Sequence, residues 1–235
     1  MNLLLLRPDD RWLDHQTVVL NDQRAHHIRT VLKATAGETL RAGLLGGQLG
    51  QAVLTSVAED GVTLRVDCQD SPPPRHRFDV VLALPRPKML RRVLRTVAEF
   101  GVANLHLINS ARVEKSYWQT PLLAAAKLED ALLAGMERAS DTMMPQVYQH
   151  KLFRPFVEDR LPSICAGRPC WIAQMGSAEA LRESPPGPAV VMVGPEGGFV
   201  PFELDLAQRV MARPVHLGSR TLSVDTALTS ALAQG

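Results

Sequence analysis

The run Ala189-Val190-Val191-Met192-Val193-Gly194-Pro195-Glu196-Gly197-Gly198-Phe199 decides how this chain is read. Its first five residues are apolar without polar alternation, the pattern of a strand buried on both faces of a parallel sheet. The strand empties into a glycine-rich turn, and the composition then predicts a helix over residues 201–213. In open α/β sheets that junction, at the carboxyl end of a strand, is where ligands bind. A phosphate loop would need GxxxxGK followed by Ser or Thr, and a dinucleotide fold would need GxGxxG; neither pattern is present. Glu196 would also repel phosphate. A carboxylate beside crowded backbone amides suits a ligand that carries positive charge and takes backbone hydrogen bonds. The plainer alternative is that Glu196 caps a turn near the helix start and the glycines only permit that turn.

S-adenosylmethionine, with a sulfonium, an ammonium and an adenine, meets that description. A second constellation follows at Leu217-Gly218-Ser219-Arg220-Thr221-Leu222-Ser223-Val224-Asp225-Thr226-Ala227. Here a strand end leads into a glycine turn, one arginine and a run of small residues that lets a ligand lie close to backbone. Arg220 is the only cation between Pro214 and residue 235, and its guanidinium is suited to holding an anion in fixed geometry. A solvated surface arginine is the alternative.

Upstream of this core, apolar runs alternate with helical periods. Strands are expected at 80–84, 104–108, 171–175, 189–193 and 215–217, with helices over 87–100 and 121–139. The first helix puts Leu90, Val93, Leu94 and Val97 on one face, and the second puts Leu122, Leu123, Leu132, Leu133 and Met136 on its apolar side. Strand followed by helix is the α/β rhythm. At Ser71 to Pro74 three consecutive prolines forbid helix and central strand, so residues 71–77 read as a linker between a domain at 1–70 and a domain at 78–235. Before the linker, partly alternating segments at 38–43, 51–57 and 62–68 are punctuated by Gly46-Gly47 and Glu59-Asp60-Gly61, which predicts a small β-barrel. One short helix over 23–34 interrupts it, with Ile28, Val31 and Leu32 inward and Arg24, Arg29 and Lys33 outward.

The 46% apolar content supports real cores. No stretch approaches the roughly 18 to 20 apolar residues of a membrane span, and the Leu3 to Leu6 run is shorter than a signal peptide's apolar region, so the expectation is a soluble cytoplasmic protein. Three cysteines, Cys68, Cys165 and Cys170, form no CxxC pair, so no disulfide framework and no metal site is expected. The net charge is only +2, but Arg75, Arg77, Arg86, Lys88, Arg91, Arg92 and Arg95 face only Asp79 across their window. Such a cluster is a phosphate-facing surface or a solvated helix face.

Taken together, these stretches resemble the ribosomal RNA small-subunit uracil-N3 methyltransferases of the SPOUT, or α/β-knot, superfamily. The family's GPEGGF stands intact at Gly194 to Phe199, with Glu203 at the expected distance. LGxRxLRxETA is matched at Leu217 to Ala227, HHxxxVLR at His26-His27-Ile28-Arg29-Thr30-Val31-Leu32, and Ser-x-Arg at Ser110 and Arg112. The resemblance covers essentially the whole chain. It implies an α/β fold in which a trefoil-knotted methyltransferase domain is preceded by a PUA-like β-barrel, and a homodimer acting on 16S rRNA of the small ribosomal subunit. Its cofactor would be S-adenosylmethionine, bent in the knot against Met175 and Gly176, against Val193, Gly194, Glu196, Gly197 and Gly198, and against Leu217, Gly218, Leu222, Ser223, Thr226 and Ala227. The RNA would meet Arg24, His27, Arg29 and Lys33 of the barrel, and Lys88, Arg112 and Arg138 beyond it. Ser223 stands where the family has a second arginine, Asp225 where it has glutamate, and Asp141 where many relatives carry a basic residue. An acid there either changes the RNA path or points elsewhere.

Uracil N3 is a poor nucleophile until its proton leaves. Arg220 is therefore expected to stabilise the developing uracil anion, and Glu196, Asp225 or water to take the proton. The base must be unpaired or flipped out, onto Tyr117 or Trp118 unless that pair is simply packed. A noncatalytic knot protein that binds cofactor and RNA, and a methyltransferase for another ribosomal or transfer RNA position, are the alternatives.

Overall fold

The computed structural model describes residues 2–235, which divide into two compact units. One runs through Pro74 and also takes in Met136–Met144; the other comprises Arg75–Gly135 and Pro145–Gly235. Residues 71–76 carry neither helix nor strand, as three prolines require.

The first unit is a six-stranded sheet of β1 (Leu4–Leu6), β2 (Arg11–Trp12), β3 (Thr17–Leu20), β4 (Thr39–Leu44), β5 (Leu49–Ala58) and β6 (Gly61–Asp70), in the order β1-β4-β5-β6-β3-β2. Only β1 and β4 pair in parallel. Alternation places Ala52 and Leu54 of β5 and Val62, Leu64 and Val66 of β6 on one inner face with Val18, Leu20, Leu4 and Leu6. No ladder joins β1 to β2 among the described residues, so the barrel is an open one. The helix expected over 23–34 begins as α1 (Gln23–His27), capped by Asp22, which accepts from the Arg24 backbone N–H. It continues as a π-helical turn over Ile28–Leu32 and ends at Lys33 in the left-handed region, φ 53°. The wider π turn rotates the later side chains away from the expected face. Ile28 stays buried, but Val31 and Leu32 are exposed, a correction to their expected inward placement. Arg24 is corrected in the opposite sense. It folds inward onto Asp10 at 2.5 Å and Asp22 at 2.7 Å and donates to the Leu5 carbonyl.

The second unit contains β7 (Phe78–Ala83), α2 (Pro87–Glu99), β8 (Asn104–Ile108), α3 (Ala125–Ala139), β9 (Gln146–His150), α4 (Phe153–Pro155), α5 (Leu161–Cys165), β10 (Cys170–Ala173), β11 (Ala189–Val193), α6 (Pro201–Val210), β12 (Arg213–Val215) and α7 (Val224–Leu232); the last turn of α3 belongs with the first unit. Its six strands are all parallel, in the order β12-β10-β11-β7-β8-β9. Every residue of β7 and β11 is buried, as the centre of a covered sheet requires; the one charge among them, Asp79 of β7, pairs with Arg168 at 2.7 Å. The chain leaves β7 for β8 and β9 on one side and returns to β10 and β11 on the other, so strand order reverses at the β7–β11 boundary. Leu90, Val93, Leu94 and Val97 form the buried face of α2. The helix expected over 121–139 starts only at Ala125: Thr120 caps a 3-10 turn at Pro121–Leu123, and Ala124 is extended.

Candidate active site

The two glycine turns read from the sequence meet at the carboxyl ends of β10, β11 and β12. They enclose a cleft of about 250 Å³. Val193, Gly194, Pro195, Glu196, Gly197 and Gly198 line it from the loop after β11, and Leu217, Gly218, Arg220, Thr221 and Leu222 from the stretch after β12. Val224 and Ala227 of α7 and Ala173, Gln174 and Met175 after β10 complete the lining. Of the residues expected to hold cofactor, Gly176, Ser223 and Thr226 are outside the lining. Gly176 supplies the positive φ of the turn after Met175, and the Thr226 hydroxyl shares a hydrogen bond with Ser223 at 2.9 Å. Ala173, Gln174, Pro195, Thr221 and Val224 escaped the sequence reading because lining residues that offer backbone or plain surface carry no chemical signature.

Glycine is required at two points of the cleft: φ is +71° at Gly198 and +136° at Gly218, regions that side chains disfavour. The loop after β11 is held from behind. The buried carboxylate of Glu203 accepts from the Ser110 hydroxyl at 3.0 Å, the Ala111 N–H at 2.7 Å and the Val200 N–H at 3.0 Å. The Arg112 guanidinium donates to the carbonyls of Gly197 and Gly198. Arg112, expected at the RNA, thus clamps the glycine loop through the same Ser-x-Arg stretch that Glu203 fixes.

A second, larger cleft of about 820 Å³ adjoins the first, sharing Glu196 and Val224 with it. It lies outside the carboxyl ends of β7 and β11, the reversal point at which open α/β sheets place ligands. Its other lining is Arg86, Pro87, Lys88 and Met89 at the start of α2, Glu114 and Tyr117, and Ser223 and Asp225. Glu196 is 3.7 Å from the Arg86 guanidinium and Asp225 is 3.2 Å from that of Arg92. The Ser223 hydroxyl donates to Asp225 at 2.6 Å, and this bond, aided by Arg92, holds the Asp225 carboxyl below its usual range. Arg220 is exposed on the first cleft and has no hydrogen bond or ion pair among the described residues. Tyr117 lines the second cleft, whereas Trp118 is anchored by its indole N–H to Asn109 at 3.0 Å.

The remaining residues expected at RNA divide by exposure. Lys33, Lys88 and Arg138 are exposed, and His27 is half-buried with Nε2 lacking a partner. Arg29 donates to the carbonyls of Ala58 and Glu59. Asp141 is buried and accepts from the Met143 N–H at 2.9 Å. The cysteines are free thiols, and among the described residues no group of three or more His, Cys, Asp or Glu is placed to hold a metal ion. No helix among them is long and apolar enough to cross a membrane.

A parallel sheet with a glycine-lined cleft at its strand ends is an α/β fold that a solved methyltransferase structure shares. The ribosomal RNA small subunit methyltransferase E of Neisseria gonorrhoeae, bound to S-adenosyl methionine, superposes with a TM-score of 0.76 at 23% identity, covering 99% of this chain and 95% of that one. Residues 72–234 match the RNA methyltransferase domain family and residues 20–67 match the RNA methyltransferase PUA domain; the chain belongs to the RNA methyltransferase family. Relatives similar to it are the ribosomal RNA small subunit methyltransferases E of Treponema pallidum, 29% identical with 99% of this chain and 90% of the relative covered, and of Synechocystis, 26% identical with 93% and 72% covered.

Proposed function

We propose that this chain transfers the methyl group of S-adenosylmethionine to N3 of a uracil in the 16S rRNA of the small ribosomal subunit. The observation that carries the reading is the pairing of clefts. One is narrow and glycine-lined, with Arg220 the single cation in its lining; the other is wide and opens at the strand reversal; Glu196 borders both. The names of the relatives, which place them on small-subunit rRNA, support the choice of substrate.

The lining fits the cofactor. Leu217, Leu222 and Ala227 offer apolar surface to an adenosine, the loop after β11 offers backbone, and Glu196 offers a charge opposite to a sulfonium. When bound, S-adenosylmethionine supplies an electrophilic methyl group, whose carbon–sulfur bond breaks as the carbon–N3 bond forms. The uracil occupies the second cleft against Tyr117. Glu196 accepts the N3 proton, since Asp225 is held as a stabilised anion by Ser223 and Arg92 and is the weaker base. Arg220, exposed and unpaired in the lining of the first cleft, stabilises the charge that develops on the uracil. The family resemblance adds a homodimer working in the cytoplasm, with no metal in the reaction.

The test is incubation with labelled S-adenosylmethionine and small subunits lacking the modification, beside naked rRNA and a tRNA pool, followed by nucleoside analysis. The expected product is 3-methyluridine in small-subunit RNA. Label in tRNA alone would move the target, and cofactor binding with no transfer to any substrate would leave a noncatalytic binding protein.

A further inference from the structure

The basic cluster conspicuous in the sequence divides in the structure. Arg75 donates to the Val102 carbonyl, and Arg77 lies over the Phe78 ring at 4.0 Å while donating to the carbonyls of Pro185 and Gly187; both are structural. The other five, Arg86, Lys88, Arg91, Arg92 and Arg95, are all exposed, and they fall at the start and along the solvent face of α2.

That face is expensive for the helix. Lys88 and Arg92, and Arg91 and Arg95, are like charges four apart, each pair costing about 0.2–0.5 kcal/mol. The first turn contains no acidic residue, so Arg86 and Lys88 add to the positive end of the helix dipole instead of opposing it. A face serving only solubility would mix signs; here no acid intervenes before Glu99. The nearby carboxylates that do pair with this face, Glu196 with Arg86 and Asp225 with Arg92, come from the lining of the second cleft. A local concentration of cations that destabilises its own helix and opens onto the substrate cleft is explained by a polyanion that docks there.

Resting on the function proposed above, we infer that the exposed face of α2 is the track for the RNA backbone flanking the target base. Phosphates engage Arg91, Arg95 and Lys88, and compete with Glu196 and Asp225 for Arg86 and Arg92. The barrel contributes less than its sequence suggests, because Arg24 is committed to Asp10 and Asp22 and Arg29 to backbone carbonyls.

The experiment measures binding of a short fluorescent oligouridylate to the full chain across a salt series. Neutralising the track with Arg91→Gln and Arg95→Gln is expected to reduce the slope of log affinity against log salt by about 0.7 for each phosphate that is no longer neutralised. Arg91→Lys with Arg95→Lys, which keeps the charge, and Arg209→Gln with Arg213→Gln, which neutralises exposed arginines of α6 and β12, are expected to keep the wild-type slope. Thermal melting verifies that each variant folds; should the glutamine pair melt early, Lys88→Gln with Arg95→Gln makes the same measurement. A wild-type slope in the neutralised variants overturns the track, as does an equal loss in the α6 and β12 control. Methyl transfer to small subunits is read on the same wild-type preparation: its absence defeats the proposed function, whereas transfer with an unaltered slope in the α2 variants defeats the track alone.

Discussion

Arg220 and Glu203 occupy the two extremes of exposure in the site, and their roles follow from that difference. Arg220 is exposed and unpartnered, so removing it costs the fold little, within about 0.5 kcal/mol for a surface change of this kind. Its cost should appear in the chemistry: Arg220→Gln is expected to lower kcat by roughly 100-fold or more, the scale of removing one charge-stabilising donor, with cofactor affinity and melting nearly unchanged. Single-turnover kinetics with small subunits checks it, and an unchanged rate would remove Arg220 from the reaction. Its position was legible because a lone cation between a glycine turn and a run of small residues stands out in any sequence. Glu203 was legible only as a matched motif position; two of its three hydrogen bonds reach Ser110 and Ala111, some ninety residues away, and no local pattern announces such a partner. Arg24 shows the opposite failure. A basic residue on a short amphipathic helix reads as outward, yet Asp10, fourteen residues earlier, draws it in.

At the scale of elements, the long buried strands and α2 were read closely, because period and burial agree in them. The residues of β9, Gln-Val-Tyr-Gln-His, went unread: an edge strand has one neighbour, and its side chains are mostly half-buried or exposed. That edge nevertheless carries a pH dependence. His106 of β8 is buried, shares a hydrogen bond with His150 at 3.2 Å and stacks on Tyr148. Burial first, and His150 second, push its pKa down to about 4. The neutral ring is therefore favoured by folding. Its contribution is fully present above about 6.5, the value in an unfolded chain, and is lost as pH falls through about 4. His106→Gln should flatten the fall in melting temperature between those limits, and an unaltered pH profile would contradict the assignment. Helix packing supplies a second prediction. A Cβ at Gly135 of α3 would lie 2.6 Å from the Arg95 carbonyl oxygen and 2.8 Å from Ala98 Cβ of α2. Alanine gains about 1 kcal/mol of helix propensity, but overpacking against an unyielding backbone costs about 1–3 kcal/mol. Gly135→Ala is thus expected to lower the melting temperature; a rise would mean that the helices separate freely.

At the scale of the molecule, the triple proline marks a change of architecture that the sequence made plain, but one unit is not continuous in the chain. Met136–Met144 belongs to the β-rich unit. There the Thr142 hydroxyl donates to the Gly47 carbonyl at 2.5 Å, its carbonyl accepts from the Gly46 N–H at 2.8 Å, and its methyl occupies the space that a Cβ at Gly43 would need. Pairings across some ninety-five residues leave no trace in periodicity. Thr142→Ala is expected to cost about 1 kcal/mol and to speed amide exchange at Gly46, although position 142 follows the strands of that unit by over seventy residues; unaltered exchange would contradict the grouping.

The cleft between Gly194 to Gly198 and Leu217 to Leu222 is the site proposed for S-adenosylmethionine. Calorimetric titration of the cofactor into the wild type and into Ala227→Leu tests it most directly. Ala227 lines the cleft from a half-exposed position on α7, so leucine, a good helix former, fills the cleft without burdening the core. Saturable binding to the wild type is expected, with at least a tenfold weaker affinity in the variant at unchanged melting temperature. Equal binding by both proteins, or none by the wild type, would contradict it.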